Sequence, residues 1–269
     1  MRGKVLLGWM TRDRAVKYLG DECLFDPPLT QQQAEALWEE KKAVVEKMGP
    51  RPAPSPKRLE MTAPERETSV KFISFARRQP GGSPQIQGVI KVDPQGLACQ
   101  QLCITLDQAN AYTNDIHSET WAARNCLATQ GALAGLNYAA VPNGWNFNLP
   151  HGEFQFVFNG QVFGVTECAP YISVCVLKGR TVLWSGYHRC YARIANADLA
   201  TMDSSVLAVV RTNGEEALST NPALRDQILG DRPPLLGDFL DDRFCMEVEV
   251  RRMRYQLQVR AEVAKISAE

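Results

Sequence analysis

The sequence predicts an α/β protein of the α+β kind, with a helical amino-terminal extension before a domain rich in strands and hairpins. Three observations support this class. Apolar residues recur at helical spacing in the first fifty residues, prolines cluster between 50 and 84, and apolar runs separated by turn dipeptides follow. The predicted organisation is a helical extension over 1–49, a proline-rich linker or strap over 50–84, and an α/β domain over 85–269 with a strand extension at its carboxyl end.

The composition is that of a globular chain without a strong overall charge. Of the 269 residues, 45% are hydrophobic and 22% are charged, and the 30 basic residues balance the 30 acidic ones. Any attraction for nucleic acid must therefore be local. No apolar run reaches the length of a membrane span, so we expect a cytoplasmic protein that does not enter a membrane.

Eight cysteines are spread over the chain, and no two of them are spaced as Cys-x-x-Cys. Several lie in apolar runs that resemble strands, where a free cysteine acts as a small hydrophobic residue. We therefore expect reduced structural thiols, and neither a metal site nor a disulfide framework.

The clearest helix signal begins at Thr30. Thr30 and Gln33 have the spacing of a capping box, and Gly49 followed by Pro50 is a typical helix stop. A shorter helix is predicted from about Arg12 to Leu19.

Two such helices raise the question of a DNA-reading helix-turn-helix. The second helix carries Glu35, Glu39 and Glu40 on its exposed side, and DNA phosphates would repel these carboxylates. Structural packing or the docking of a partner is the preferred interpretation.

The main domain begins near Gln85 with the strand QIQGVIKVDP. A helix ending near Ala128 and a long loop over 131–149 follow. Two hairpins are then predicted, one around Asn159-Gly160 and one around Lys178-Gly179. The second hairpin leads into a helix over 187–195 and then into the strand SSVLAVV.

The junction between this hairpin and this helix, VLWSGYHRCYARI, groups residues that suit a bound phosphate. The first N–H groups of a helix attract anions, and Gly186 would permit a sharp turn and a close approach. Ser185 is a natural cap, Arg189 can grip phosphate oxygens, and His188 can exchange a proton near neutral pH. The alternative is an ordinary turn in which the histidine and the arginine bind carbonyl groups.

Residues 171–210 resemble the core of the ParB/sulfiredoxin-like superfamily. In that superfamily a strand pair leads into a Gly-x-x-Arg box, a helix and a closing strand; here Gly186, His188 and Arg189 match the box. The resemblance implies that the box binds nucleotide phosphates, which assigns nucleotide binding to Ser185, Gly186, Tyr187, His188 and Arg189. Mg²⁺ would accompany the nucleotide, ATP or CTP.

Two positions depart from the better-known relatives. Ser185 stands where kinase-like and nuclease-like members carry Asp, and Tyr187 stands where sulfiredoxins carry their catalytic Cys. Sulfinic-acid reduction is therefore disfavoured. His188 is the candidate catalytic residue, with Asp93 as a candidate acidic partner.

Two further groups of residues are candidates for binding. His151, Glu153 and His188 could form a two-His-one-carboxylate site, although nothing in the sequence brings His188 near the other two. Near the carboxyl end, Arg251, Arg252, Arg254 and Arg260 have no acidic residue between them. They form a candidate nucleic-acid surface or a solvated strand face, with a bulge at Arg251-Arg252.

The resemblance thus implies a nucleotide-binding protein of a prokaryotic or phage DNA-related system. Whether it also hydrolyses the nucleotide or transfers a phosphoryl group stays open. The alternative is a non-catalytic scaffold that binds DNA or a partner protein, and a weaker alternative is a nuclease. A homodimer is a further expectation.

Overall fold

The computed structural model describes residues 1–51, 58–76, 86–116, 118, 121, 125–127, 137–141, 144–149, 154–159, 162–167, 171–197, 204–212, 222–251 and 255–260. The chain forms two compact units. The first contains Met1–Thr129 and Pro170–Arg251, and the second contains Gln130–Ala169 and Arg252–Glu269. The predicted α+β class is confirmed.

The helices described lie in the first unit. They are α1 (Arg12–Lys17), α2 (Gln31–Lys47), α3 (Ala63–Ala76), α4 (Leu106–Asn110), α5 (Tyr187–Ala195) and α6 (Pro222–Leu229). Short 3₁₀ turns cover Leu7–Trp9, Pro94–Gly96 and Leu236–Leu240, and a π-helical turn covers Tyr18–Glu22. None of the helices in the described ranges is long and apolar enough to cross a membrane.

The first unit also holds two sheets. The terminal sheet is antiparallel, in the order β2-β14-β1-β6, and consists of β1 (Arg2–Val5), β2 (Cys23–Leu24), β6 (Cys103–Thr105) and β14 (Met246–Val250). The central sheet is mixed, in the order β3-β4-β13-β11-β12-β5. Its strands are β3 (Arg58–Leu59), β4 (Ile86–Val92), β5 (Ala98–Cys99), β11 (Ser173–Leu177), β12 (Arg180–Ser185) and β13 (Val206–Arg211).

The second unit is built from strands. A three-stranded antiparallel sheet contains β7 (Asn137–Val141), β8 (Gly144–Leu149) and β15 (Tyr255–Arg260), in the order β15-β8-β7, and a hairpin contains β9 (Phe154–Asn159) and β10 (Val162–Glu167). The expectation of a long loop over 131–149 was therefore wrong. The hairpin prediction holds, but Asn159 pairs with Val162 and belongs to the strand.

The amino-terminal residues are part of the first unit's core. Strand β1 pairs with both β14 and β6, and so occupies the interior of the terminal sheet. The structure thus draws the boundaries differently from the predicted 1–49 extension, because this strand supplies hydrogen bonds that strands from beyond residue 85 need. The predicted linker 50–84 likewise includes β3 and α3.

Two capping boxes explain where α2 and α3 begin. The Thr30 hydroxyl accepts a hydrogen bond from the Gln33 N–H at 3.2 Å, and the Gln33 side chain accepts from the Thr30 N–H at 2.9 Å, as predicted. At α3, the Glu65 carboxylate accepts from the Thr62 N–H at 2.7 Å and the Thr62 hydroxyl accepts from the Glu65 N–H at 3.4 Å. This second box is a sequence signal that the proline-rich interpretation of the segment overlooked.

Candidate functional site

The junction between β12 and α5 requires glycine. Gly186 is the N-cap of α5 and has φ 92° and ψ 22°, in the left-handed region that L side chains rarely adopt. A Cβ atom at this position would lie 2.8 Å from Cγ1 and 3.0 Å from Cα of Ile172. The predicted strand, glycine and helix are all present, and α5 covers the predicted 187–195.

Ser185 does not cap this helix. It is the last residue of β12, its hydroxyl donates to the Tyr171 carbonyl oxygen at 3.1 Å, and the Ser173 hydroxyl lies 2.7 Å from it. The N-cap is Gly186, and no side chain caps the helix there. The predicted role as a cap is therefore wrong: the Ser185 side chain is directed at the neighbouring strand.

Tyr187 is buried, and its hydroxyl connects two parts of the fold. Its ring is buried, and its hydroxyl accepts from the Gln100 N–H at 3.0 Å and the Gln101 N–H at 3.3 Å while donating to the Leu183 carbonyl. Burial raises the pKa of this phenol well above its usual value. The hydroxyl joins the chain after β5 to the start of α5 and stays protonated while it does so.

His188 connects α5 to α4. Its Nε2 accepts a hydrogen bond from the backbone N–H of Thr105 at 3.1 Å, and Thr105 is the N-cap of α4. An accepting Nε2 places the single proton of the neutral ring on Nδ1.

Arg189 and Arg193 form a pair of cations on the same side of α5. Arg189 is only 8% exposed, and its guanidinium carbon lies 5.0 Å from the centre of the Tyr112 ring. The guanidinium of Arg193, one turn later, lies 5.3 Å from the Trp121 ring centre and donates to the Ile116 carbonyl. The aromatic faces hold both cations in fixed positions. The sequence prediction missed Arg193, which the four-residue spacing from Arg189 could have indicated.

Asp93 lies at the end of a strand that is not adjacent to β12 in the central sheet. It follows β4, and its Oδ1 accepts from the Gln95 N–H at 3.1 Å and from the Ser204 hydroxyl at 3.4 Å. Two strands separate β4 from β12, which places the two strand axes about 14 Å apart. Asp93 caps the turn Pro94–Gly96.

The candidate basic surface is only partly described. Arg251 is exposed directly after β14, and its N–H donates to the Glu22 carbonyl at 2.7 Å. Arg252 and Arg254 lie outside the described residues, and so do His151 and Glu153. The predicted bulge at Arg251-Arg252 was wrong, because β14 ends at Val250 and β15 starts at Tyr255 in a different sheet and unit.

The described cysteines have the environment expected of structural thiols. Seven cysteines belong to the described ranges; all seven are free, and six of them are buried. Within those ranges no three His, Cys, Asp or Glu side chains are grouped so that they could hold a metal ion.

Comparisons of the chain with protein-family models, with curated proteins and with solved structures find no match in any of the three. The resemblance of residues 171–210 to the ParB/sulfiredoxin-like superfamily stays a prediction.

Proposed function

We propose that the chain binds a nucleotide through its phosphate groups at the junction of β12, Gly186 and α5. The observation that carries this proposal is the buried guanidinium of Arg189, held over Tyr112 within the first turn of a helix that no side chain caps. A fixed cation and the positive end of a helix attract the same kind of ligand, a compact anion.

Each residue of the junction has a separate task in this proposal. Gly186 makes the left-handed turn that starts the helix, the first N–H groups of α5 and Arg189 hold phosphate oxygens, and His188 is the proposed donor to them. Ser185 and Tyr187 support the junction from within, since their hydroxyl groups bond to the protein. Mg²⁺ would enter with the nucleotide and offset phosphate charge, and the binding step relies on no protein ligand to it.

A non-catalytic scaffold is the second candidate function. It is favoured by one observation: the side chains of Ser185, Tyr187 and His188 all make hydrogen bonds inside the protein. In this case the box would serve the fold, and DNA or a partner protein would bind elsewhere, with Arg251 as the described residue of the predicted basic surface. Loss of salt-sensitive DNA binding in the double variant Arg251→Gln/Arg252→Gln would support this candidate.

Calorimetric titration separates the two candidates. We expect one of ATP, CTP and GTP, in the presence of Mg²⁺, to bind the wild-type chain, and Arg189→Gln to weaken that binding at least tenfold. Arg193→Gln is the matched control, because it removes an equivalent cation one turn further from the helix start; it should change the affinity by less than threefold. Circular dichroism checks that both variants fold.

Two results would overturn the nucleotide proposal. One is the absence of binding for all three nucleotides, and the other is an equal loss in Arg189→Gln and Arg193→Gln. Release of inorganic phosphate from the bound nucleotide then decides between simple binding and hydrolysis, and His188→Gln tests the proposed donor in that assay.

A further inference from the structure

A cavity of about 840 Å³ opens in the first unit, and neither Arg189 nor His188 lines it. Its walls come from four parts of the chain: the residues from Trp9 to Arg14, one face of α2, Gln100, and α6 with the turn that follows it. Its volume is typical of a site for a small molecule.

Two tryptophans form the aromatic part of this cavity. The indole N–H of Trp38 donates to the Met10 carbonyl at 3.0 Å, and that of Trp9 donates to the Arg232 carbonyl at 2.7 Å. These bonds satisfy the only polar atom of each ring and fix its orientation. The rings thus present an ordered, flat apolar surface, and their N–H groups need no further hydrogen-bond partner.

Charged side chains line the cavity together with the tryptophans. Arg14 and Arg232 line the cavity, and within the described part of the chain neither forms an ion pair. Lys42 and Glu46 also line it and partner each other at 3.9 Å, and Asp231 is the remaining acid. Apart from the Lys42–Glu46 pair, the lining therefore has two cations, Arg14 and Arg232, and one acid, Asp231.

Gln227 adds a donor that lacks an acceptor. It lines the cavity, and its Nε2 is buried without a hydrogen-bond partner among the described residues. A buried amide donor without a partner is unfavourable, so a ligand oxygen towards which the flexible side chain turns would stabilise it.

We propose that this cavity is a binding site for a small aromatic anion, a flat ring that carries a phosphate or carboxylate group. The ring packs against Trp38 and Trp9, and the anionic group binds Arg14 and Arg232 with help from Gln227. None of the five junction residues 185–189 lines this cavity. Gln100 is the lining residue that contacts the junction: its N–H donates to the Tyr187 hydroxyl, and its side chain donates to the Trp184 carbonyl.

The test uses 1-naphthyl phosphate as the probe in calorimetric titrations. The wild-type chain should bind it at least tenfold more tightly than inorganic phosphate, which lacks the ring, and than 1-naphthol, which lacks the charge. Arg14→Gln should weaken the binding about tenfold, the effect of losing one charge-assisted hydrogen bond. 2-Naphthoate, titrated in parallel, shows whether a carboxylate replaces the phosphate.

Arg12→Gln is the matched control for Arg14→Gln. Arg12 is on the same short helix, but its guanidinium pairs with Glu35 at 2.7 Å and does not line the cavity, so its replacement should leave the affinity within threefold. Trp38→Phe, which keeps an apolar ring, should weaken the probe less than Arg14→Gln does.

The proposal fails if the probe binds no better than inorganic phosphate or 1-naphthol, or if Arg12→Gln and Arg14→Gln weaken it equally. It also fails if Arg189→Gln abolishes binding of the probe while Arg14→Gln does not, because the probe would then occupy the nucleotide junction. Conversely, nucleotide binding that is lost in Arg189→Gln but kept in Arg14→Gln leaves the two sites independent.

Discussion

At the scale of single residues, Gly186 decides the geometry of the junction. Its positive φ and its contact with Ile172 are two separate reasons why no other residue fits. The sequence indicated the first reason, since glycine between a strand and a helix suggests a sharp turn. The second depends on Ile172, fourteen residues earlier, and follows only from the pairing of β11 with β12.

Replacement of this glycine should destabilise the fold more than replacement of a comparable one. Gly179 also has a positive φ, of 81°, but no atom lies within 4 Å of where its Cβ would be. Gly179→Ala should lower the free energy of unfolding by about 1 kcal/mol from the backbone alone, and Gly186→Ala by about 3 kcal/mol because the contact with Ile172 is added. Urea denaturation measures both. Equal losses would mean that Ile172 moves aside freely.

For the other residues of the box, the predicted position in the fold was correct, but their side-chain contacts were not predicted. The pattern placed Ser185, Tyr187, His188 and Arg189 at a strand-to-helix junction, and they are there. It could not show that the Tyr187 hydroxyl binds Gln100 and Gln101, since those partners lie more than eighty residues away. Sequence reasoning treats such side chains as available to a ligand until the packing is known.

At the scale of elements, motifs made of neighbouring residues predicted helices and turns correctly. Segments with conflicting sequence signals were predicted incorrectly. The capping box of α2 and the turn at Lys178-Gly179 depend on neighbouring residues, and both are present. Strand β8 was missed because the glycine and asparagine content of its surroundings hid the alternation of Trp145, Phe147 and Leu149 with asparagines. An apolar residue at every second position was the usable signal there.

One ion pair joins two elements that are distant in the sequence. Arg51, after α2, forms an ion pair at 2.7 Å with the buried carboxylate of Asp238 in the turn Leu236–Leu240. Its guanidinium carbon lies 5.3 Å from the ring centre of Phe244 and 5.8 Å from that of Trp9. This arrangement fastens the start of the predicted linker to the carboxyl-terminal part of the unit.

Arg51→Met should lower the free energy of unfolding by about 3 kcal/mol, because a buried carboxylate then loses its counter-charge. The matched control is Lys71→Met, which breaks an exposed pair with Glu67 at 2.7 Å and should have no measurable effect. Guanidinium chloride denaturation compares the two variants. If Arg51→Met behaves like Lys71→Met, the ion pair and the ring contacts only offset the cost of burying the charges.

At the scale of the whole molecule, segments from distant parts of the chain build the first unit together. The terminal sheet places β1, from the first residues, between β6 and β14, and the Met1 amino group donates to the Val250 carbonyl at 3.1 Å. The second unit likewise joins β15 to β8 from two separate chain segments. A linear division at residues 49 and 84 could not express this, because strand pairing between distant segments leaves no local signal.

Buried thiols distributed through the first unit should make the molecule sensitive to alkaline pH. Burial raises the pKa of Cys126 to about 12, from an ordinary value of 9.0, and raises that of Cys175 to about 11. Between pH 9 and these values the unfolded chain releases thiol protons that the folded chain retains. The corresponding stability is fully present below about pH 9 and is lost as the pH rises through 11 and 12.

Cys126→Ala isolates one of these thiols. Because each such group changes the free energy of unfolding by about 1.4 kcal/mol per pH unit, the variant should lose stability less steeply than the wild type between pH 9 and 12 by about that amount. Urea titrations at successive pH values measure the two slopes. Lys71→Met, an exposed change, should keep the wild-type slope. If Cys126→Ala and the wild type have the same slope, this thiol ionises alike in the folded and unfolded chains. That result would contradict the prediction, because the prediction depends on burial of the sulfur in the folded chain.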